Sequence, residues 1–379
     1  MSNPSPLVRD EIRTIAPYNS GLTLDEVRTR YQIETIAKLG SNENPLGPSP
    51  KLRSLFGDIG DLARLYPDPQ GHALCSRLAD SFGVDKERMI LGNGSEDLIG
   101  VICRSVVRPG DRVTTLYPSF PLHEDYTILM GGTVERITIT SDLTVDMDAL
   151  VQAVARKPRM VMFSNPMNPV GCWLTPDQLA RVIDALDPET LIVVDEAYAE
   201  YAAGDDYPSA ADLLERTRCN WVVLRTFSKA YGLAGLRIGF GLVSDPGLCN
   251  FFNRVRTPFN TNAIAQASAI VALEDLDHLR KSVDQALAER ARMTTALELM
   301  ARQGAGRSNQ PLRIAPSKGN FLFVDTGRNS TDVSEDLLKH GVIVKPWKQS
   351  GFARFIRVSV GTTKENDQFL NAFKSISEI

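Results

Sequence analysis

A lysine and an arginine stand eight residues apart in the stretch RTFSKAYGLAGLRIGFG, residues 225–241. Lys229 follows the apolar run WVVL (221–224), and Arg237 lies among Gly, Ala, Leu and Ile. An amine beside a buried strand is unfavourable unless its charge is paired or removed. Incorporation of the amine into a Schiff base removes the charge. The spacing therefore suggests a covalently reactive lysine with an arginine of the phosphate-binding kind close by.

Polar side chains also follow other apolar runs of the chain. These groups are Asp195 with Tyr198, Asn165 with Asn168, Thr226 with Ser228, and the turn Gly94-Ser95-Glu96 directly before a helical pattern. In open α/β sheets, ligands bind beyond the carboxyl ends of the strands. Taken singly, Asn168 and the glycine-containing turn are explained as well by ordinary turns, and Lys229 could extend to solvent. Their occurrence together, on successive strands, favours one shared site.

The chemistry of this set suits pyridoxal phosphate. A carboxylate such as Asp195 can keep the pyridine nitrogen protonated, and Asn168 and Tyr198 can donate to the phenolic oxygen of the ring. A phosphate group suits a helix N-terminus, hydroxyls and a bidentate cation. The predicted phosphate-binding residues are Gly94, Ser95, Glu96, Thr226, Ser228 and Arg237. Tyr117 ends another apolar run and is predicted to stack on the ring, while Lys229 would carry the Schiff base.

Short apolar runs alternate with helical patterns between residues 89 and 243. The predicted strands are 88–92, 112–117, 133–139, 159–164, 191–196, 221–227 and 237–243, and the predicted helices are 95–107, 145–157 and 175–186. Runs made almost entirely of Val, Ile and Leu are typical of strands buried on both faces. Thr175 and Pro176 form a typical helix start, as N-cap and first residue. The pattern predicts an α/β domain with a mostly parallel seven-stranded sheet between helices.

The remainder of the chain predicts a smaller α+β domain. A long helical stretch is expected after residues 257–262, ending near Met300. Strands are predicted at 320–326, 341–347 and 355–361, and helices near 331–340 and 363–376. The segment SNENPLGPSP (41–50) is too rich in Pro, Gly and Asn for regular structure. We therefore expect an N-terminal segment over 1–55, a large cofactor-binding domain over 56–270 and a small domain over 271–379.

Composition and charge exclude several classes of protein. The chain has 379 residues, a net charge of −4 and no apolar run near the length of a membrane span, so neither nucleic-acid nor membrane binding is expected. No signal-peptide pattern is seen, and the five scattered cysteines form no Cys-x-x-Cys pair, so we expect a cytoplasmic protein with reduced thiols. The four histidines lack metal-ligand spacing, which favours structural or surface roles and no histidine-based metal site.

Motifs along nearly the whole chain carry a family resemblance. They are SNENPLGPSP (41–50), YPDPQG (66–71), NGSEDLI (93–99), YPSFPLHEDY (117–126), SNPMNPVG (164–171), VVDEAYAEY (193–201), RTFSKAYGLAGLRIG (225–239), VRTPFNTNAIAQ (255–266) and FIRVSVGT (355–362). The chain resembles the fold-type I, pyridoxal-phosphate-dependent aminotransferases. The segments NENPLGP and YPDPQ narrow the resemblance to the histidinol-phosphate branch of that family.

The resemblance implies further assignments. Tyr66 would reach the cofactor phosphate of the neighbouring subunit of a homodimer, and Arg357 would bind the anionic group of the substrate. Asn44 and Tyr18 would line the substrate mouth. Lys229, Asp195 and Tyr198 would be the catalytic residues. Small molecules are the partners expected of such a site.

The implied reaction is transamination between histidinol phosphate and 2-oxoglutarate, which gives imidazole-acetol phosphate and glutamate in histidine biosynthesis. Two alternatives remain open. An aromatic amino-acid aminotransferase could use the same site, because a flat side-chain pocket accepts a phenyl ring as well as an imidazole. A phosphothreonine-type decarboxylase would use the same cofactor contacts. A cofactor-sensing regulator is disfavoured, because no basic helix-turn-helix region precedes the fold.

Overall fold

A computed structural model describes residues 7–17, 21–57, 59–204, 206–207, 209–304 and 312–377. Its strands are β1 (Ala37–Lys38), β2 (Met89–Gly92), β3 (Arg112–Tyr117), β4 (Thr133–Thr138), β5 (Met160–Ser164), β6 (Leu191–Asp195), β7 (Asn220–Thr226), β8 (Gly239–Val243), β9 (Arg313–Ile314), β10 (Phe321–Asp325), β11 (Val342–Ile343), β12 (Lys345–Pro346) and β13 (Phe355–Ser359).

The α-helices, interleaved with these strands, are α1 (Asp10–Arg13), α2 (Leu24–Tyr31), α3 (Leu52–Gly57), α4 (Ile59–Arg64), α5 (His72–Phe82), α6 (Ser95–Val106), α7 (Pro121–Leu129), α8 (Met147–Ala155), α9 (Pro176–Asp184), α10 (Ala199–Ala202), α11 (Ala210–Leu214), α12 (Pro246–Val255), α13 (Ala263–Glu274), α14 (Leu276–Arg302), α15 (Ser330–Leu338) and α16 (Thr363–Ile376). Short 3₁₀ turns cover Lys86–Arg88 and Ala234–Leu236.

The predicted seven-stranded sheet is confirmed. Its order is β2-β8-β7-β6-β5-β3-β4, and β8 alone of these strands runs antiparallel to its neighbours. Ser164 pairs with Asp195, and Asp195 pairs with Leu224, so the carboxyl ends of β5, β6 and β7 meet at one edge. The polar residues that follow these strands are thereby brought together.

Both faces of this sheet are buried along its central strands, as the apolar strand sequences predict, whereas the edge strand β4 is largely exposed. Along β5, Val161 and Phe163 contribute to one hydrophobic cluster, whereas Met160 and Met162 contribute to another. Successive side chains of a strand point to opposite faces, so the two clusters lie on opposite sides of the sheet. A strand covered on both sides cannot shift its register without exposing apolar surface, which fixes the edge that carries the site.

Two smaller sheets are built mainly from the C-terminal part of the chain. One has the order β12-β13-β10-β9, and the other pairs β1 with β11 in parallel. The predicted strand 341–347 is therefore two strands that belong to different sheets. Ile343 pairs with Lys38 in the N-terminal segment, whereas Lys345 pairs with Arg357. The N-terminal segment is thus tied to the C-terminal sheets.

The predicted helices over 95–107, 145–157 and 175–186 appear as α6, α8 and α9. Thr175 caps α9 as predicted and forms a capping box with Gln178. The long helical stretch expected up to Met300 consists of two helices, α13 and α14, which are separated at Asp275. The Asp275 carboxylate accepts a hydrogen bond from Ser49 and lies 3.2 Å from the Lys51 amine. A contact with a distant loop therefore interrupts a helical pattern.

No helix in the described ranges is both long and apolar enough to span a membrane. All five cysteines carry free thiols, and four of them are buried.

Candidate active site

A cleft of about 600 Å³ opens at the edge where β5, β6 and β7 end. Among its lining residues we call Ser95, Thr226, Ser228 and Arg237 the helix end, and Gly40, Ser41, Lys345 and Arg357 the junction end. Asn168, Asp195, Tyr198 and Lys229 also line it. The structure therefore gathers most of the predicted site residues in one cavity.

The helix end combines a helix start with an arginine. Helix α6 begins at Ser95, and the first N–H groups of a helix have no partner within it, which favours an anion. Gly94 has a φ of 82°, and a Cβ there would lie 2.3 Å from Nη2 of Arg237. Nη1 of Arg237 donates to Oγ of Ser228 at 3.3 Å. Only glycine at position 94 lets the guanidinium approach the helix start this closely.

Lys229 projects into the cleft directly after β7. Its Nζ donates to the carbonyl oxygen of Ser41 at 2.9 Å and lies 5.8 Å from the ring centre of Tyr198. Desolvation lowers the pKa of Lys229 to about 7, and the positive charges of Arg357 and Arg237 act in the same direction. An appreciable fraction of the amine is therefore neutral near pH 7, as a nucleophile or proton acceptor requires.

Asp195 ends β6 and is buried beside a histidine. Its Oδ1 accepts from the backbone N–H of Ala197, and its Oδ2 lies 3.4 Å from Nε2 of His123. His123 is only 1% exposed, and neither ring nitrogen has a hydrogen-bond partner within the described ranges. Sequence spacing predicts only a structural or surface role for His123, because α7 brings it to Asp195 only in the fold.

The junction end presents two neighbouring cations. Arg357 on β13 donates from Nη1 to Oδ1 of Asn168 at 2.8 Å and from Nη2 to the carbonyl oxygen of Gly40 at 2.7 Å. Lys345 lies opposite Arg357 on β12. Burial lowers the pKa of Lys345 to about 8, and the charges of Arg357 and Lys348 add to the effect. Two cations held this close favour the binding of an anion.

Tyr198 lies at the start of α10 with its ring edge-on to Phe321, the ring centres 5.0 Å apart. Its hydroxyl oxygen accepts a hydrogen bond of 3.0 Å from the side-chain amide of Asn42. Asn42 is fully buried and does not line the cleft. Its contact with Tyr198 spans 156 positions of the sequence, and no local sequence pattern predicts it.

The structure does not support the predicted stacking role of Tyr117. The hydroxyl of Tyr117 donates to the carbonyl oxygen of Ser350 at 2.9 Å, and its ring packs edge-on against Phe352. Tyr117 is not among the residues that line the cleft, whereas Phe120 is. Phe120 also packs edge-on against His123. The available aromatic face therefore belongs to Phe120, three residues further along the same motif.

Asn44 also takes a different place from the one predicted. Its Nδ2 donates to the carbonyl oxygen of Ala230 at 2.8 Å, and its Oδ1 accepts from the backbone N–H of Leu46. Both ends of the amide are thus occupied by the backbone, and Asn44 does not line the cleft. It fixes the N-terminal loop against the residue after Lys229 instead of facing a substrate.

Two other predicted residues lie away from this cleft or outside the described ranges. Tyr66 is 82% exposed, stacks on Phe259 at 4.7 Å and does not line the cleft of its own chain. Tyr18 lies outside the described residues. The neighbouring segment 14–17 lines the mouth of the cleft, so the N-terminal segment does border the site as expected.

The chain is similar to known aminotransferases over its whole length. Residues 34–373 match the family model described as aminotransferase class I and II. The chain is 68% identical to histidinol-phosphate aminotransferase 3 of Rhizobium meliloti, with all of both chains covered. It is 55% identical to histidinol-phosphate aminotransferase 1 of Mesorhizobium japonicum, over 99% of this chain and 100% of the relative. The structure of a Sinorhizobium meliloti histidinol-phosphate aminotransferase in complex with pyridoxal-5'-phosphate matches with a TM-score of 0.87 and 30% identity, over 98% of each chain.

Proposed function

Because the chain belongs to the class I and II aminotransferases, we propose that it transfers an amino group between histidinol phosphate and 2-oxoglutarate. The products are imidazole-acetol phosphate and glutamate. The observation that carries the proposal is the meeting of Lys229, Asp195 and the cation pair Lys345 and Arg357 in one cleft. The full-length similarity to relatives named for this reaction supports the choice of substrate.

The donor set of the cleft fits pyridoxal phosphate, the cofactor of this family. When bound, the cofactor supplies a cationic ring that withdraws electrons from the amine-bearing carbon of the substrate. Gly94 leaves room for Arg237 beside the start of α6, so that the helix end can hold the phosphate. Asp195 can hold the proton of the ring nitrogen, and Phe120 offers an aromatic face.

Asn168 and Tyr198 would donate to the phenolic oxygen of the cofactor. Oδ1 of Asn168 accepts from Arg357, which turns its amide nitrogen toward other acceptors. The Tyr198 hydroxyl accepts from Asn42, so its own hydrogen is directed to a different acceptor. Both donors therefore have a fixed orientation before any ligand arrives.

Lys229 moves the proton in the proposed reaction. Its pKa of about 7 allows the free amine to accept the proton that leaves the amine-bearing carbon of histidinol phosphate. The same value allows the ammonium form to give the proton back. A lysine in its ordinary range would remain charged at neutral pH and could not act as the base.

The junction end is suited to the anions of both substrates. Histidinol phosphate carries a phosphate, and glutamate carries carboxylates. Arg357 can bind either in a bidentate manner. Lys345 adds a second positive charge next to it. The segment 14–17 also lines this cleft.

The proposed function is tested by measuring which amine the enzyme prefers as substrate. Purified holoenzyme should be incubated with histidinol phosphate, phenylalanine or tyrosine, each with 2-oxoglutarate, and kcat/KM determined for each. We expect histidinol phosphate to have the highest value by at least about tenfold, because only it places a phosphate beside two cations. A tenfold or greater preference for phenylalanine or tyrosine would make the protein an aromatic aminotransferase. Release of carbon dioxide from phosphothreonine would identify the decarboxylase instead.

The active unit is proposed to be a homodimer in which Tyr66 acts on the neighbouring site. Tyr66 is exposed and stacked on Phe259, with further exposed apolar side chains on nearby elements: Phe56, Ile59, Leu65 and Phe251. Burial of such surface against a second copy is favourable. Mixed dimers of a Tyr66→Phe chain and a Lys229→Ala chain test the arrangement. If Tyr66 acts across the interface, one site carries both lesions and the other stays intact. If no site retains wild-type activity, Tyr66 acts within its own chain.

We also propose that the protein works in the cytoplasm. Its five cysteines are free, and burial raises the thiol pKa to about 12 for Cys75, Cys103, Cys172 and Cys249. Unpaired, protonated thiols of this kind are usual in a reducing compartment. Fractionation of the cells that make the protein, followed by immunodetection, tests the assignment.

A further inference from the structure

We propose that Asn42 is a positioning residue for the reaction, which directs the Tyr198 hydroxyl toward the cofactor's phenolic oxygen by donating a hydrogen bond to it. The inference rests on the role of Tyr198 in the proposed function. It adds a residue that touches neither the substrate nor the cofactor. Asn42 is fully buried behind the cleft, and its Nδ2 lies 3.0 Å from the hydroxyl oxygen of Tyr198.

The direction of this hydrogen bond determines its effect. A tyrosine hydroxyl has one hydrogen to donate and an oxygen that can accept. Because the amide of Asn42 supplies a hydrogen to that oxygen, the hydroxyl's own hydrogen is directed to a different acceptor. Hydrogen bonds linked in a chain strengthen one another. Tyr198 is thus a better donor with Asn42 present than without it.

The orientation of the Asn42 amide is set by Ser359. The backbone N–H of Asn42 donates to Oγ of Ser359 at 2.7 Å, so the hydroxyl of Ser359 is free to donate to Oδ1 of Asn42, which lies 2.8 Å away. The carbonyl oxygen of Asn42 accepts from Asn320 at 3.0 Å. With Oδ1 held by a donor, the amide nitrogen must face Tyr198. This network therefore identifies which end of the amide meets the hydroxyl.

The backbone at this position also favours asparagine. Asn42 has a φ of 57°, in the left-handed region that asparagine and glycine adopt at least cost. The adjacent carbonyl groups contact the cleft as well, since Gly40 accepts from Arg357 and Ser41 accepts from Lys229. Residues 40–42 thus hold three side chains of the site in place relative to one another: Arg357, Lys229 and Tyr198.

The test follows the visible absorbance of the bound cofactor during pH titration, with no amine substrate present. A hydrogen bond to the phenolic oxygen stabilises its anionic form and lowers the midpoint of the titration. Asn42→Gly, which keeps the backbone conformation, should raise the midpoint by about half a pH unit, and Tyr198→Phe by about one to two. The charged groups around the site stay the same in both variants: Lys229, Asp195, Glu43, Arg237 and Arg357.

A double variant and a control distinguish this hydrogen-bond effect from a general loss of rigidity in the segment that carries Asn42. In the Tyr198→Phe background, Asn42→Gly should raise the midpoint no further, because the hydroxyl is absent. Asn320→Ala removes a support of the same segment but no contact with Tyr198, and should leave the midpoint at the wild-type value. An equal rise in the Tyr198→Phe background, or an equal rise in Asn320→Ala, overturns the inference.

The remaining outcomes are also decisive. An unshifted Tyr198→Phe overturns the proposed role of Tyr198 and this inference with it, whereas a shifted Tyr198→Phe with an unshifted Asn42→Gly overturns the inference alone. If Asn42→Gly does not fold, Asn42→Asp keeps the size of the side chain and accepts from Tyr198 instead of donating to it. Its midpoint should again rise, and a value at or below that of wild type counts against Asn42. Neither result depends on which amine is the substrate.

Discussion

The two ends of the cleft are held by different kinds of contact. At the helix end, Ser228 and Arg237 lie nine positions apart and hydrogen-bond to each other beside the start of α6. At the junction end, Arg357 bonds to Gly40 across 317 positions and to Asn168 across 189. The helix end is therefore fixed by one sheet and its connections, whereas the junction end exists only where separate sheets meet. We expect the first to govern cofactor affinity and the second to govern substrate affinity.

Asp195 lines the cleft outside both ends, and its loss should have the largest effect on turnover. Asp195→Asn keeps the shape of the side chain and removes the charge that holds the ring proton. A lost charge partner in a buried site costs about 3–5 kcal/mol, which predicts a fall in kcat of about 10²- to 10⁴-fold. Cofactor content, measured by absorbance, should stay near that of wild type. Turnover within tenfold of wild type would contradict the assigned role.

A methyl group at the helix end should separate cofactor binding from catalysis. Gly94→Ala places a Cβ 2.3 Å from Nη2 of Arg237 and imposes a positive φ on alanine. Displacement of the guanidinium should weaken cofactor binding by about 1.5–3 kcal/mol, or roughly 10- to 150-fold in Kd. Equilibrium dialysis gives the Kd, and kcat is then measured at saturating cofactor. We expect kcat to recover, so a normal Kd with a low kcat would refute the division between the two ends.

The corresponding change at the junction end should weaken the use of both substrates and leave cofactor binding largely unchanged. Arg357→Ala removes a charge-assisted contact to each substrate and should reduce kcat/KM by roughly 10- to 150-fold for both histidinol phosphate and glutamate. The cofactor Kd should change far less than in Gly94→Ala. If only one of the two amines is affected, then a single arginine does not serve both anions. Lys348→Ala, a change to a neighbouring cation, provides the comparison.

The last prediction concerns the stability of the cofactor-free protein and leaves ligand binding aside. Lys229 has a pKa of about 7 in the fold against an ordinary value of 10.5, so between these pH values the unfolded chain holds a proton that the folded chain does not. Its contribution to stability therefore rises with pH across this window and is most unfavourable below pH 7. Lys229→Met removes the contribution. Urea unfolding at pH 6, 8 and 10 should show the variant's advantage over wild type shrinking with pH. A constant or growing advantage would mean that the amine is not desolvated.

The same contrast explains which parts of the site the sequence could predict. Asp195, Ser228 and Lys229 stand directly after apolar strands, and the carboxyl ends of parallel strands meet at one edge. Their position in the chain therefore determines their position in the cleft. Regular strands and capped helices follow local rules of the same kind, which is why the seven-stranded sheet and the start of α9 were predicted correctly.

Other residues of the site and the fold gave no such signal. The stretch 117–120 contains two aromatic rings, and the packing of Tyr117 against Phe352 leaves the cleft to Phe120. In the N-terminal loop, the left-handed backbone of Asn42 decides which polar side chain faces which partner. The break at Asp275 likewise depends on a distant loop. In each case a long-range contact overrides what the local sequence favours.

The two acceptors of Arg357 bear on how the resting enzyme meets and releases its ligands. Two nitrogens of the guanidinium already donate, one to the Asn168 amide oxygen and one to the Gly40 carbonyl. An incoming phosphate or carboxylate therefore exchanges places with a neutral oxygen instead of meeting a bare cation. When the anion departs, the same neutral oxygens can accept from the guanidinium again, so its donors regain hydrogen-bond partners. We expect this exchange to speed the release of products, and so to let one arginine serve two chemically different ligands in alternation.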